Sequence, residues 1–181
     1  MKKKRLTDNE ILVLGLVAEM PRHGYELEKI IQLREMREWT QIGFSSIYFV
    51  LGKLEKKGLV TAKQPEKAKT KKSYSITSTG QSMLVSQTLD ALQTISPNHS
   101  SVLLGMMHWP ALSRTQALDA LKLRKQAVAI ELERFQEIQF KQQPLPDHLN
   151  SLFEFNISQL KSEAKWLAQL FDYMQTKPWN T

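Results

Sequence analysis

The chain has no cysteine, which excludes disulfide scaffolding and thiolate metal sites and suits a reducing compartment. It also lacks long apolar runs: the longest, such as Ile11 to Ala18, fall far short of the roughly twenty residues a bilayer crossing requires. The basic start MKKKR leads into a polar capping pattern rather than an apolar core, so no targeting segment is expected. His23, His99, His108 and His148 stand apart, without the spacings that hold a metal. A phosphate-cradling glycine loop and a nucleophile elbow are likewise missing. These absences point to a cytoplasmic protein with no membrane association, no cofactor and no catalytic activity.

What is present is a core-forming share of hydrophobic residues, 41% of 181, and a lopsided charge. The net charge is +7; Met1 to Asp90 holds 16 basic against 10 acidic residues, whereas Ala91 to Thr181 holds 9 against 8. The polyanion-seeking half is therefore the first.

That half reads as helix, helix, helix, strand, turn, strand, helix. Lys2, Lys3, Lys4 and Arg5 form a basic arm, after which Thr7 and Glu10 have the spacing of a capping box and Leu6 and Ile11 that of a hydrophobic staple. Ile11, Leu12, Leu14 and Val17 supply the core face until Pro21. Gly24 opens a second helix packed through Leu27, Ile30 and Ile31, and EWTQIG breaks the periodicity, with Trp39 expected to pack. If Ser45 caps the third helix, Ile47, Val50, Leu51 and Leu54 form one stripe, and Ser45, Phe49, Gly52, Lys53 and Lys56 lie opposite. Gly58 is placed to stop it in a left-handed conformation, with Leu59 closing onto Leu54.

The runs Leu59 to Gln64 and Ser73 to Ile76 then read as a hairpin around Pro65, whose tip carries Lys63, Lys67, Lys69, Lys71 and Lys72. Ser78 and Gln81 suggest another capping box, and Leu84, Val85, Leu89, Leu92 and Ile95 a stripe that ends at Ser96, Pro97 and Asn98. This break divides the chain into residues 1–96 and 97–181.

The second half is helical throughout. Ser113 and Gln116 cap a helix carrying Leu118, Leu121, Val128, Leu132 and Phe135; Pro144 and Pro146 break the chain. Phe153, Ile157, Leu160, Ala164, Leu167, Phe171 and Met174 then alternate four- and three-residue steps, the seam of a helix facing another helix. An antiparallel pair is expected, and Leu152, Phe155, Trp166 and Leu170 widen its apolar face enough to call for a partner surface. A second copy of the chain is the simplest source, with the seam as the dimer contact.

HGYEL at His23 to Leu27, SSIYFVLGKLEKKGLV at Ser45 to Val60 and YSITSTGQ at Tyr74 to Gln81 together resemble the signature of the PadR family of bacterial transcriptional regulators. The resemblance spans the first ninety or so residues; the second half resembles, more weakly, the helical dimerisation region of longer members. It implies a mainly α fold, a winged helix-turn-helix with a small β-hairpin wing, followed by a C-terminal antiparallel long-helix dimerisation domain. It implies double-stranded DNA as partner, a homodimer, usually a repressor, and often release by a small aromatic or amphipathic effector.

Ser45, Ser46, Phe49 and Lys53 would then face base edges, Tyr48 and Lys56 would flank phosphates, and the wing lysines would grip the adjacent backbone or minor groove. Tyr25 stands where the family approaches the DNA backbone, or else is a core-edge residue. Family members commonly have proline where Phe49 stands, so Phe49 either touches a thymine methyl group or packs on a neighbouring element. Met106, Met107, Trp109 and Trp166 would line an apolar effector cleft, or else belong to the dimer core. A winged helix that binds protein instead of DNA is the rival reading.

Overall fold

The computed structural model describes residues 5–38, 40–64, 72–95 and 100–177. The arm residues Lys2, Lys3 and Lys4, Trp39, Pro65, the wing lysines Lys67, Lys69 and Lys71, the Ser96–Pro97–Asn98 break and His99 lie outside them. The chain falls into two compact units, Met1–Pro97 and Asn98–Thr181. Among the described residues no helix is long and apolar enough to cross a membrane, and no acidic or histidine cluster is placed to hold a metal.

The first unit runs α1 (Asp8–Glu19), β1 (Arg22–His23), α2 (Gly24–Leu33), a 3-10 turn (Met36–Glu38), α3 (Phe44–Lys56), β2 (Val60–Lys63), β3 (Ser73–Ile76) and α4 (Ser78–Gln93). The Thr7–Glu10 capping box forms as expected: the Glu10 N–H donates to the Thr7 hydroxyl at 3.3 Å and the Thr7 N–H donates to the Glu10 carboxylate at 3.0 Å. Val13, Leu14, Leu16 and Val17 of α1, Leu27 and Ile31 of α2, and Ile47, Leu51 and Leu54 of α3 close one core, sealed by Leu59, Val60 and Tyr74 from the wing.

The wing has three strands rather than the two read from sequence, in the order β1-β3-β2, all antiparallel. A two-residue strand carries no alternation to recognise. It matters nonetheless, because it ties the entry of α2 to the wing: Arg22 pairs with Tyr74 and His23 with Ser73.

Two capping assignments move by one or two residues. Gly43 in extended conformation, not Ser45, precedes α3, and the Ser46 N–H donates to its carbonyl at 3.1 Å. Thr77, not Ser78, caps α4; its hydroxyl accepts from the Gly80 N–H at 2.9 Å and reaches the Gly58 carbonyl at 2.8 Å. Tertiary contact makes the choice between two adjacent hydroxyl residues, since only Thr77 also reaches back to the end of α3. The seat is tight: a Cβ at Gly80 would stand 2.0 Å from the Leu59 carbonyl oxygen.

The end of α3 matches its reading. Gly58 takes φ +69, the Gly58 N–H donates to the Glu55 carbonyl at 2.9 Å, and the Leu59 N–H to Leu54 at 3.0 Å, the bond pair of a Schellman ending. One residue earlier, Lys57 places its ammonium 2.6 Å from the carboxylate of Glu10, whose side chain is only 3% exposed. Burial pushes the Glu10 carboxyl upward, but the bonds from Lys57 and Thr7 outweigh it and hold it below the usual carboxylate range.

The second unit holds α5 (Ser101–Met107), a 3-10 turn (Trp109–Ala111), α6 (Arg114–Lys141) and α7 (Asp147–Thr176). The Ser113–Gln116 capping box starts α6. The long helices are antiparallel: Arg114 donates to the Met174 and Gln175 carbonyls at 2.8 and 2.9 Å, Arg124 to Glu163 at 2.6 Å, and Gln139 to Asn150 at 2.8 Å. Arg114 thereby supplies the cation that the last turn of α7 lacks.

Replacing Lys57 with Met should cost about 3 kcal/mol near neutral pH, because it strands a buried carboxylate. In the wild type, the contribution of Glu10 is present above its unfolded-state pKa of about 4.3 and is lost as pH falls through the lower folded-state value. In the variant the uncompensated carboxyl takes its proton at higher pH, so the difference between the two proteins should shrink on acidification. Urea unfolding from about pH 7 to about pH 4 checks this; a difference independent of pH would refute the pairing.

Candidate nucleic-acid interface

Helix α3 buries Ile47, Val50, Leu51 and Leu54 and turns the opposite face outward. That face presents Ser45, Phe49, Lys53 and Lys56 at helical spacing, all exposed, with Phe49 retaining 65% of its surface. The Lys53 ammonium lies 4.4 Å from the centroid of the Phe49 ring. Ser46 is half-buried on the flank.

Tyr48 does more than flank this strip. Its ring meets Phe44 edge-on, at 6.4 Å between centroids, and covers the first residue of α2: a Cβ at Gly24 would stand 2.6 Å from Tyr48 Cε1. Behind it Tyr74 is buried, and its phenol is pushed up by that burial, with Glu55 and Tyr48 adding to the shift. Phe44, 60% exposed at the head of α3, is a surface aromatic that the capping assignment at Ser45 hid by placing it outside the helix. Its spacing of four residues from Tyr48 was the available signal.

At the front of α2 the Tyr25 ring stacks on His23 at 5.9 Å, and the Lys29 ammonium stands 5.6 Å from its centroid. Tyr25 is half-buried, so it is both a core-edge and a surface residue. His23 reaches the wing, its Nδ1 3.0 Å from the Lys72 carbonyl oxygen. Lys63 and Lys72 are exposed at the root of the hairpin, Lys63 pairing in register with Ser73. The structure thus places Tyr25, Lys63 and Lys72 around one strand-and-helix junction, beside but separate from the α3 strip.

The remaining assignments lie in the second unit. Phe153, Ile157, Leu167 and Met174 are buried within the chain, with Leu160, Ala164 and Phe171 half-buried, so this seam faces α6 of the same chain. Trp109 and Trp166 pack on the same cluster; Met106 is half-buried and Met107 exposed.

Residues 13–86 match the Transcriptional regulator PadR-like family. No curated protein matches the chain in sequence. Among solved structures it is similar to Bacillus subtilis PadR in complex with operator DNA, at 20% identity over 91% of this chain and 98% of that one, with a TM-score of 0.72. The same protein in complex with p-coumaric acid gives 20% identity over 92% and 98%, with a TM-score of 0.75. A PadR-like transcriptional regulator from Bacillus cereus gives 17% over 94% and 100%, with a TM-score of 0.68. At these identities the likeness is one of fold: a winged helix-turn-helix followed by a helical unit.

The contact between Gly24 and Tyr48 has a measurable consequence. Gly24→Ala should destabilise by about 1–2 kcal/mol through overpacking, whereas in a Tyr48→Ala background the same change should be neutral or slightly stabilising. Chemical denaturation of the four proteins in the cycle checks this; additive effects would show that the ring does not hold the two helices in register.

Proposed function

We propose, from the premise that residues 13–86 make this chain a member of the PadR-like family of transcriptional regulators, that it is a cytoplasmic, homodimeric repressor that binds an inverted-repeat operator. The observation that carries the reading is the outer face of α3, where lysines and aromatic rings are exposed on a helix whose other face is anchored in the core. A helix of this width fits the major groove, where base edges are distinguishable. The roots of the wing add Lys63 and Lys72, long-stemmed cations suited to phosphates because an ammonium needs no fixed geometry. The solved complex of Bacillus subtilis PadR with operator DNA supports the same assignment.

Affinity for duplex DNA should fall steeply with salt. Replacing Lys63, Lys67, Lys69, Lys71 and Lys72 with Gln should weaken binding to all sequences and flatten the slope of log K against log salt by about 0.9 for each phosphate that is no longer neutralised. Fluorescence anisotropy across a salt series measures it; an unchanged slope would leave these lysines without a DNA role. Selection from random duplexes tests the reader itself, and the absence of any enriched motif would favour a protein-binding module.

Dimerisation falls to a different surface from the α7 seam. Leu123 and Ile130, two turns apart on α6, keep 66% and 67% of their surface, and Phe155 and Tyr173 on α7 keep 63% and 59%. A second copy would remove these from water, worth about 1.5–3 kcal/mol for each large side chain fully buried. Leu123→Asp with Ile130→Asp should give folded monomers, whereas Leu167→Asp should unfold the helix pair itself. Sedimentation and circular dichroism separate these outcomes; a folded dimer carrying both α6 substitutions would refute this surface.

Release by a small apolar or aromatic effector completes the proposal, supported by the relative solved with p-coumaric acid. Trp109 and Trp166 pack on the core cluster and Met106 is half-buried, which leaves Met107 as the exposed side chain of that set.

A further inference from the structure

We propose that Phe49 and Lys53 form a single reading unit, in which the phenyl ring is a positioning residue that holds the lysine ammonium toward a hydrogen-bond acceptor on a base edge. The inference rests on the DNA-binding function proposed above. A ring with 65% of its surface exposed gains little from burial, yet the Lys53 ammonium lies 4.4 Å from its centroid, one helical turn away. Packing on a neighbouring element does not account for so exposed a ring.

A free lysine side chain is among the costliest to order. The face of an aromatic ring attracts a cation through its quadrupole, and unlike a carboxylate it does not neutralise the charge and accepts at most a weak N–H···π contact. The ammonium therefore keeps its donors for a groove. Nearby residues reinforce this division. Lys57 takes the Glu10 carboxylate at 2.6 Å, so Lys53 acts on that carboxylate only through its field. Gly52 offers no side chain to compete, and a Cβ there would meet nothing within 4 Å. The strongest acceptors on the major-groove edge are O6 and N7 of guanine, so the unit should favour a G·C pair at one position of each half-site. The ring would act through Lys53 and make no base contact of its own.

The experiment is a binding-site selection with the full chain as wild type, Phe49→Leu, Lys53→Met, the double variant and Phe49→Tyr. Both substituted sites are exposed, so folding is not at stake. Phe49→Leu and Lys53→Met should each lose preference at the same base pair, by about ten- to a hundredfold. The double variant should be within about twofold of the worse single one, and Phe49→Tyr should behave as wild type. In the free protein, the ring-current shift of the Lys53 ε-methylene protons should vanish in Phe49→Leu and persist in Phe49→Tyr. Losses at different base pairs, losses that multiply in the double variant, or a Lys53 shift indifferent to Phe49→Leu would each overturn the pairing while leaving a sequence-specific DNA binder. A wild type that enriches no motif, with its ring-current shift intact, would instead overturn the DNA-binding function, and the reading role with it.

Discussion

The partly buried contact between Glu10 and Lys57 joins the first turn of α1 to the residue that caps the C-terminus of α3, and the outward face of α3 depends on it. Each end suits its charge, an acid near one helix's N-terminus and a cation at another's C-terminus. Beyond that polarity, the contact fixes rotation. A helix held only by an apolar stripe can roll by a fraction of a turn at small cost, because hydrophobic burial is non-directional. A bond of 2.6 Å to a carboxylate that also caps its own helix does not tolerate that roll. The Schellman ending at Gly58 and the Thr77 hydroxyl on the Gly58 carbonyl then fix where the chain leaves the helix.

This anchoring sorts the lysines of α3 and its C-cap into separate tasks. Lys57 is bound inward, Lys53 lies over a ring, and Lys56 remains exposed. All three look alike in sequence. Their difference follows from a register that puts Leu54 in the core and so turns residue 53 outward and residue 57 toward α1.

The periodic features were legible because they are local: the α1 and α6 capping boxes, the Ile47–Leu54 stripe, the glycine stop and the two longer strands all follow from spacing within a few residues. The features that escaped depend on distant partners. Glu10 reads as a cap from Thr7 alone, and its second role needs a lysine 47 residues away. The strand Arg22–His23 exists only because Tyr74 and Ser73 lie opposite. Thr77 and Ser78 are equivalent as caps until the Gly58 carbonyl is brought beside one of them.

The α7 seam shows the same limit at larger scale. A run of four- and three-residue steps says that a helix faces another helix, but not in which chain that helix lies. Here Arg114 on the Met174 and Gln175 carbonyls and Arg124 on Glu163 fix α6 as the occupant, so the most regular apolar stripe of the chain is consumed internally. The large apolar side chains that stay uncovered form a less regular set. Leu123, Ile130, Phe155 and Tyr173 are scattered among polar residues and carry no strong periodic signal. Regularity thus tracks the contact made within the chain, while the large apolar side chains that the chain leaves uncovered follow no comparable stripe.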